Sequence, residues 1–526
     1  MSVSDSCSVS TAYQANLSAL ENADKACLQF NRGIEKEGLR TTKDGRISHD
    51  SHPKALGATL THPSITTDYS EALLEFISPV KADADAVLKF LEEVHQFTYS
   101  QLGEETIWPA SMPCEVEDEL DVPIAQYGAS NLGQLKHVYR RGLWHRYGRI
   151  MQSIAGLHYN FSVNEELWDV LAQQCGQAPT QDFVSARYFG LIRNFRRYSW
   201  LLNYLFGASP ALDKSFVEDK PHDLETLDAN TLYKPYATSL RMSDLGYQNN
   251  AQSSLFVCFN SLPTYTDTLR NALREPYAAY ESIGVTQNGE FQQLNTHLLQ
   301  IENEYYADIR PKRTSRDGEK PLTALDRYGV EYIEVRCLDL NPFESLGINA
   351  QQIHFLDLFL AYCLLEESPA LTDKECKEVD QNHRRVVVEG RHPEFTLGRH
   401  GESVLLKDWA QELMQKLKPL AALMDEQQNV AHYTDALMAM TLRIEDPSLT
   451  PSAQLLEQLT SQKMSFSEFA LQQAVLFKEQ LSSSLDEQSL SNWRELSEKS
   501  LINQQQIEES DTEDFATYLT SYLKAM

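Results

Sequence analysis

The amino-acid sequence predicts an α+β fold in which helices surround a mainly antiparallel sheet. Segments with helical periodicity and segments that alternate between polar and apolar residues are both present, and they interleave irregularly along the 526 residues. No linker rich in proline, glycine or serine divides the chain. We therefore expect one large domain covering residues 1–526, with additional helices from about residue 407 to its end.

The helices are predicted from apolar residues that recur at helical spacing. Such spacing occurs in residues 87–94, 183–205 and 350–366. The last of these segments is the most apolar, and Asn349 is placed to cap it. Because Asp357 lies inside this segment and the segment is too short to span a bilayer, we expect a buried helix rather than a membrane crossing.

The charge and the cysteines of the chain exclude some partners and compartments. The chain has 46 lysines and arginines against 75 aspartates and glutamates, for a formal net charge of −29. This excess of acid argues against binding to nucleic acid or to an anionic membrane. The first 20 residues do not resemble a signal peptide, and the eight cysteines form no C-x-x-C pair. We therefore expect a cytoplasmic protein with reduced thiols.

Two predicted strands carry carboxylates among apolar residues. Glu35 and Glu37 share one face of the strand at 33–38, and Glu75 lies within the apolar run at 72–77. Carboxylates on a half-buried face repel one another, and a divalent cation such as Mg²⁺ or Mn²⁺ would relieve that repulsion. The alternatives are a solvated strand edge for the first pair and a buried acid paired with an arginine for Glu75.

Two further strands carry polar residues that suit the same chemistry. His158 lies on the polar face of the strand at 157–163, and Glu334 and Arg336 share a face of the strand at 332–337. A single imidazole is compatible with a site made mainly of carboxylates. The alternatives are a core histidine with satisfied hydrogen bonds and a cross-strand ion pair.

Basic residues are the second chemical feature of this acidic chain. Arg310, Lys312 and Arg313 form a cluster, and Arg241 is a further candidate. Arginine binds carboxylate or phosphate through two hydrogen bonds, although a surface loop would also explain the cluster. Carboxylates for metal ions combined with arginines for phosphate are what phosphoryl transfer requires. The sequence has no P-loop or dinucleotide-binding glycine motif, so it does not predict those nucleotide sites.

Taken together and in order, these segments resemble the proteobacterial type of the glutamate–cysteine ligase family. The matching motifs include NRGIEKEGLR at 31–40, GLHYNFS at 156–162 and YIEVR at 332–336. The remaining matches lie at 65–76, 108–114, 125–128, 139–143, 204–210, 236–241, 300–304 and 309–313. The resemblance runs from about residue 30 to residue 400. It implies a catalytic core at about 28–400 and a C-terminal helical part at about 407–526.

The resemblance implies a fold related to glutamine synthetase, in which a curved antiparallel sheet forms a funnel with helices outside. It also implies ATP-dependent ligation of the γ-carboxylate of L-glutamate to the amine of L-cysteine. The reaction would pass through γ-glutamyl phosphate, release ADP and phosphate, and form the first step of glutathione biosynthesis. We expect a monomer that uses Mg²⁺, or alternatively Mn²⁺, and that is subject to feedback by glutathione.

The resemblance further implies roles for individual residues. The expected Mg²⁺ ligands are Glu35, Glu37, Asp68, Glu75, His158 and Glu334. The expected catalytic residues are Arg336 and Arg241, and Arg336 would contact the transferring phosphoryl group together with Lys312 and Arg313. The expected walls of the amino-acid pocket are Tyr139, Leu143, Gln152, Arg241, Tyr247 and Tyr306.

Two other functions are compatible with the same residues. One is a carboxylate–amine ligase with a different amine acceptor, because the choice of acceptor depends on a few pocket side chains. The other is a sensor that binds an amino acid or a nucleotide without turnover. The retained carboxylates argue against the sensor.

Overall fold

A computed structural model describes residues 10–218, 220–246, 255–316 and 318–524. The strands within these ranges are β1 (Phe30–Thr41), β2 (Ile65–Thr67), β3 (Leu73–Ile77), β4 (Thr106–Ile107), β5 (Leu157–Val163), β6 (Ala211–Asp213), β7 (Glu225–Thr226), β8 (Thr231–Tyr233), β9 (Thr286–Gln287), β10 (Glu290–Phe291), β11 (Ile309–Lys312), β12 (Tyr332–Leu338), β13 (Thr396–Arg399) and β14 (Glu402–Leu405).

The helices begin before the first strand and continue to the end of the described chain. They are α1 (Thr11–Glu21), α2 (Ala84–Tyr99), α3 (Asn131–Tyr147), α4 (Glu165–Gln174), α5 (Gln181–Phe206), α6 (Leu262–Arg274), α7 (Ala278–Ile283), α8 (Pro321–Tyr328), α9 (Ala350–Leu365), α10 (Asp373–Glu389), α11 (Leu406–Gln428), α12 (His432–Glu445), α13 (Pro451–Gln462), α14 (Phe466–Leu481), α15 (Glu487–Ser510) and α16 (Phe515–Lys524). In the described part of the chain, no helix combines the length and the apolar character that a bilayer crossing requires.

The principal sheet places β1 at its centre. The strands follow the order β11, β12, β5, β1, β3, β2, and β4 pairs with the end of β1. Every pairing in this sheet is antiparallel. The register sets Glu35 opposite His158 on β5 and Glu37 opposite Glu75 on β3. The prediction of an α+β fold with a mainly antiparallel sheet is therefore confirmed, and the sheet is open rather than a closed barrel.

The two faces of β1 carry opposite charges. Because side chains alternate along a strand, Glu35 and Glu37 lie on one face and Arg32, Lys36 and Arg40 lie on the other. All three cations are at most 3% exposed, and each has a polar partner on its own side of the sheet. The acidic face is thus left free of these cations.

Lys36 shows how a cation is accommodated behind the sheet. Its Nζ lies 2.7 Å from Nε2 of His95. The Nδ1 atom of His95 donates to the carbonyl of Leu91 at 2.6 Å, which leaves Nε2 free to accept from the lysine. Burial lowers the pKa of Lys36 to about 7.

Helix α9 backs the sheet as an almost wholly buried helix. It begins after Asn349, whose side chain accepts a hydrogen bond from the amide of Gln352, as the sequence predicts. Asp357 on this helix receives Nη2 of Arg32 at 2.7 Å and the hydroxyl of Tyr159 at 2.6 Å. Both charged side chains of this ion pair are at most 3% exposed. The pair connects α9 to the two central strands.

Candidate active site

A cavity of about 370 Å³ lies against the acidic face of β1. Its floor comes from the sheet, and its walls come from α3 and from the segment between residues 294 and 306. The predicted metal ligands that line it are Glu35, Glu37, Asp68, Glu75, His158 and Glu334. Other predicted site residues that line it are Tyr139, Leu143, Gln152, Tyr306, Lys312 and Arg336. The sheet and α3 therefore bring together segments that are far apart in the sequence.

Three of the predicted ligands form a compact trio. Nδ1 of His158 lies 3.0 Å from Oε2 of Glu35 and 3.9 Å from Oε1 of Glu334. One potential ligand atom from each of these residues lies within 4.8 Å of the others. Oε2 of Glu334 is buried without a hydrogen-bond partner among the described residues. A divalent cation fits this trio, which offers one imidazole and two carboxylates. The unsatisfied oxygen of Glu334 is a further reason to expect a cation there.

The other three carboxylates extend this acidic surface. Oε1 of Glu37 lies 3.7 Å from Nε2 of His158, and Oε2 of Glu37 accepts a hydrogen bond from the amide of Gly156 at 2.5 Å. Asp68 follows β2, and its carbonyl accepts hydrogen bonds from Nε of Arg140 and from the hydroxyl of Tyr127. These contacts hold the backbone of Asp68 and leave its carboxylate to face the cavity.

Burial and neighbouring carboxylates raise the pKa of two of these acids, Glu37 and Glu75. Burial, reinforced by Asp68, raises the pKa of Glu37. Burial together with Glu35 and Asp68 raises the pKa of Glu75 well above its usual range. In the described part of the chain, no lysine or arginine nitrogen lies within 4 Å of the Glu75 carboxylate. The alternative of an arginine-paired acid is therefore not what this geometry shows.

The acidic trio is bordered by cations on the next strands. Nη1 of Arg336 lies 3.3 Å from Oε1 of Glu334, and Nζ of Lys312 lies 3.5 Å from the same oxygen. Burial opposes ionisation of Glu334, but the surrounding positive charges, Lys312 and Arg336 foremost, outweigh it and hold its pKa below the usual range. Arg336 and Glu334 are neighbours on one strand rather than a cross-strand pair. Both cations also line the cavity, so they are available to an anionic group there.

The remaining predicted residues lie outside the lining of this cavity. Arg241 is buried behind Arg336, where Nη2 donates to the Arg336 carbonyl at 3.1 Å. Arg313 follows β11 and donates to the carbonyl of Tyr328 at 3.0 Å. Tyr247 lies outside the described residues. The roles of these three residues remain predictions.

The structure adds cavity residues that the sequence analysis did not assign to the site. Among them are Lys136, Arg140, Tyr147 and Glu304, and Arg310 of the predicted basic cluster lines the cavity as well. Lys136 and Arg140 lie one helical turn apart on α3, together with Tyr139 and Leu143, so the period of the helix was the available signal. Glu304 has no comparable signal, because it becomes part of the site only through the fold of its loop.

Glu304 is held by a buried network that joins the loop to α3. Its carboxylate lies 3.0 Å from Nη1 of Arg146 and accepts from the hydroxyl of Tyr147 at 2.7 Å. Arg146 also donates to the side chain of Gln293 and to the carbonyl of Asn295. The two walls of the cavity are therefore tied to each other by charge-assisted hydrogen bonds.

Comparison with known proteins points to the same family that the sequence motifs resemble. A family model described as glutamate–cysteine ligase matches residues 17–386. Glutamate–cysteine ligases of Pseudomonas putida and Alcanivorax borkumensis are 52% identical over 504 residues and 50% identical over 518 residues. The alignments cover 95% of this chain and 95% of the first relative, and 97% of this chain and 99% of the second.

Solved structures show the same likeness. The crystal structure of glutamate–cysteine ligase from Francisella tularensis in complex with AMP has a TM-score of 0.89 and 36% identity, covering 94% of this chain and 98% of that one. A bifunctional glutathione synthetase from Pasteurella multocida has a TM-score of 0.68 and 25% identity. That match covers 89% of this chain and 54% of the other.

Proposed function

The chain belongs to the glutamate–cysteine ligase family, and from this premise we propose how its cavity performs the reaction. The family reaction joins the γ-carboxylate of L-glutamate to the amine of L-cysteine at the expense of ATP, as the first step of glutathione synthesis. The observation that carries the site assignment is the contact of the Glu35–His158–Glu334 trio with Arg336 and Lys312 inside one cavity. Metal ligands and phosphate-binding cations meet there.

We propose that the six acidic and imidazole ligands hold Mg²⁺, with Mn²⁺ as an alternative. Bound Mg²⁺ would supply charge neutralisation and alignment of the ATP phosphates. Glu37 and Glu334 are buried, and Glu35, Asp68 and Glu75 are half-buried. This supports the assignment, because acids that share one partly buried surface repel one another without a cation. The unsatisfied oxygen of Glu334 supports it as well.

The reaction proceeds in two transfers. An oxygen of the glutamate γ-carboxylate attacks the γ-phosphorus of ATP, and the bond to the bridging oxygen of ADP breaks. The cysteine amine, after losing a proton, then attacks the acyl carbon of γ-glutamyl phosphate, and inorganic phosphate leaves. Arg336 and Lys312 would stabilise the charge on the phosphoryl oxygens, because both face the cavity beside Glu334.

We assign the amino-acid substrates to the α3 side of the cavity. Tyr139 and Leu143 on α3 lie there with Gln152 and Tyr306, and they provide apolar and hydrogen-bonding surface for a small side chain. Arg241 would contact a substrate carboxylate or phosphoryl oxygen if its side chain reached past Arg336. Arg313 would be a further phosphate contact, although it lies beside Tyr328 in this structure.

Other features of the proposal follow from the substrates. Glutathione would compete for the amino-acid pocket, because it carries the same γ-glutamyl group as the product. A monomer would suffice, because residues of one chain line the cavity. A cytoplasmic location would supply ATP and reduced cysteine. The core at 28–400 would carry the chemistry, and the helices at 407–526 would support it.

The test is ADP release from ATP with L-glutamate fixed and the amine varied among cysteine, 2-aminobutyrate, ammonia, glycine and alanine. We expect turnover with cysteine, weaker turnover with 2-aminobutyrate and none with ammonia. Chelation of divalent cations should stop turnover, and Mg²⁺ should restore it. Turnover with a different amine only would contradict the pocket assignment. Full turnover after chelation would contradict the metal assignment.

Gly156 provides a test of the crowded region around Arg241. A Cβ atom at this position would lie 2.0 Å from Nη2 of Arg241, while the Gly156 amide donates to Glu37. We expect Gly156→Ala to lower kcat/KM by about 10- to 100-fold, because both neighbours must move. Steady-state kinetics and circular dichroism are the measurements.

The matched control for Gly156→Ala is Gly190→Ala on α5. There the added Cβ would meet Ser368 at an ordinary 3.6 Å. This control should keep normal kcat/KM. Normal kinetics for Gly156→Ala as well would mean that Arg241 and Glu37 need not stay where the structure places them.

A further inference from the structure

A small apolar cluster stands apart from the main core of the protein. Its buried members are Leu135, Val138, Leu294, Phe515 and Leu519. Two of these residues, Leu135 and Leu294, also line the active-site cavity. Phe515 and Leu519 belong to α16, the last helix of the described chain. The cluster therefore joins the end of the chain to the walls of the cavity.

The contacts of α16 reach both walls. The ring of Phe515 meets the ring of Phe291 edge to face, with centroids 5.0 Å apart. Tyr139 and Ile301, which line the cavity, also pack against this cluster. The apolar contact thus lies directly behind the surface that we assign to the amino-acid substrates.

Polar contacts fix the position of α16 from two directions. The carboxylate of Asp511 accepts a hydrogen bond from the amide of Asn131 at 2.5 Å, and the Asn131 side chain donates to the carbonyl of Glu513 at 3.0 Å. At the far end of α16, Nζ of Lys320 donates to the carbonyl of Tyr522 at 2.7 Å and lies 3.9 Å from its ring centroid. These contacts hold α16 to the start of α3 and to the residue before α8.

Helix α3 lies between α16 and the cavity, so the contacts of α16 bear on its position most directly. It presents Lys136, Tyr139, Arg140 and Leu143 to the cavity. The adjoining side of α3, at Leu135 and Val138, packs against α16, and Leu135 reaches the cavity as well. The metal-binding residues depend on other elements, because they lie on or beside the strands of the sheet.

We propose that α16 is a positioning element for the amino-acid half of the active site. It holds α3 and the segment around residues 291–301 at the spacing that the substrates require, without touching the substrates itself. This inference rests on the proposed function, because it uses the assignment of α3 to the amino-acid pocket. It gives the C-terminal helices a role, although α16 lies outside the region matched by the family model.

The test is Phe515→Ala in the full-length chain. We expect the KM for the amino-acid substrates to rise about tenfold, with the KM for ATP and kcat within about twofold of the wild type, because the sheet side of the site is untouched. In Phe515→Leu the KM should stay close to the wild-type value, because leucine refills most of the apolar cluster. Hydrogen exchange of residues 131–147 should be faster in Phe515→Ala and near normal in Phe515→Leu.

The matched control is Phe477→Ala, which removes an equally buried ring from α14. It should lower thermal stability without changing either KM. Equal KM changes in Phe477→Ala, or normal exchange of 131–147 and normal KM in Phe515→Ala, would overturn the proposal. If Phe515→Ala does not fold, Leu519→Ala is read by the same criteria. The exchange measurement needs no turnover, so it separates failure of this proposal from failure of the proposed reaction.

Discussion

Glu334→Ala is expected to lower kcat/KM for ligation by at least about a thousandfold while the fold stays intact. The Glu334 carboxylate lies beside the imidazole and the two cations of the candidate site. Its Oε1 lies near His158, Lys312 and Arg336, and its Oε2 has no hydrogen-bond partner among the described residues. Removal of this side chain would take away one of the proposed metal ligands and would also release the two cations from their position.

The companion variant for this prediction is Glu35→Ala, which removes a second member of the trio and should have a comparable effect. The matched control is Glu402→Ala, because Glu402 is exposed on β14 and lies outside the cavity lining, and it should keep normal turnover. ADP release with saturating Mg²⁺ and circular dichroism are the measurements. Turnover near the wild-type rate in both Glu334→Ala and Glu35→Ala would contradict the metal assignment.

Asp357→Ala is expected to lower the free energy of unfolding by about 3–5 kcal/mol. The substitution would leave the guanidinium of Arg32 buried without its carboxylate, and it would leave the Tyr159 hydroxyl without the acceptor it has at 2.6 Å. A buried charge that loses its partner is far more costly than the loss of the attraction itself. Urea denaturation of the wild type and the variant measures the difference.

A double replacement separates this cause from simple loss of packing. Arg32→Met combined with Asp357→Leu removes both charges and retains apolar volume, so it should recover most of the stability lost in Asp357→Ala. Both variants should keep measurable ligation at low temperature, because neither residue lines the cavity. A double variant as unstable as Asp357→Ala would mean that the uncompensated Arg32 charge is not the cause.

The composition of the site could be predicted from local patterns in the strands. Alternation along β1 placed Glu35 and Glu37 on one face, and the structure confirms that face. The same reasoning placed His158 and Glu334 on the polar faces of two further alternating strands. Strand alternation is a short-range property, so a single sequence is sufficient to reveal it.

The pairing of the strands could not be predicted in the same way. Nothing local to Glu35 specifies that His158 lies opposite it, or that β12 follows β5 in the sheet. The register depends on packing between segments more than 100 residues apart. The same limit applies to Arg241, which the sequence identified as a candidate but whose place behind Arg336 depends on the close approach at Gly156.

The strand order has a consequence for the synthesis of the protein. The sheet contains both β1, which is synthesised early, and β12, which is complete only when residue 338 has been added. Until then the glutamates of β1 and the imidazole of β5 lack the strand that carries Glu334 and Arg336. A nascent chain that lacks β12 therefore has an incomplete candidate site, and long-range pairing of this kind delays folding until most of the chain is made. Translation products that end before β12 should therefore be inactive.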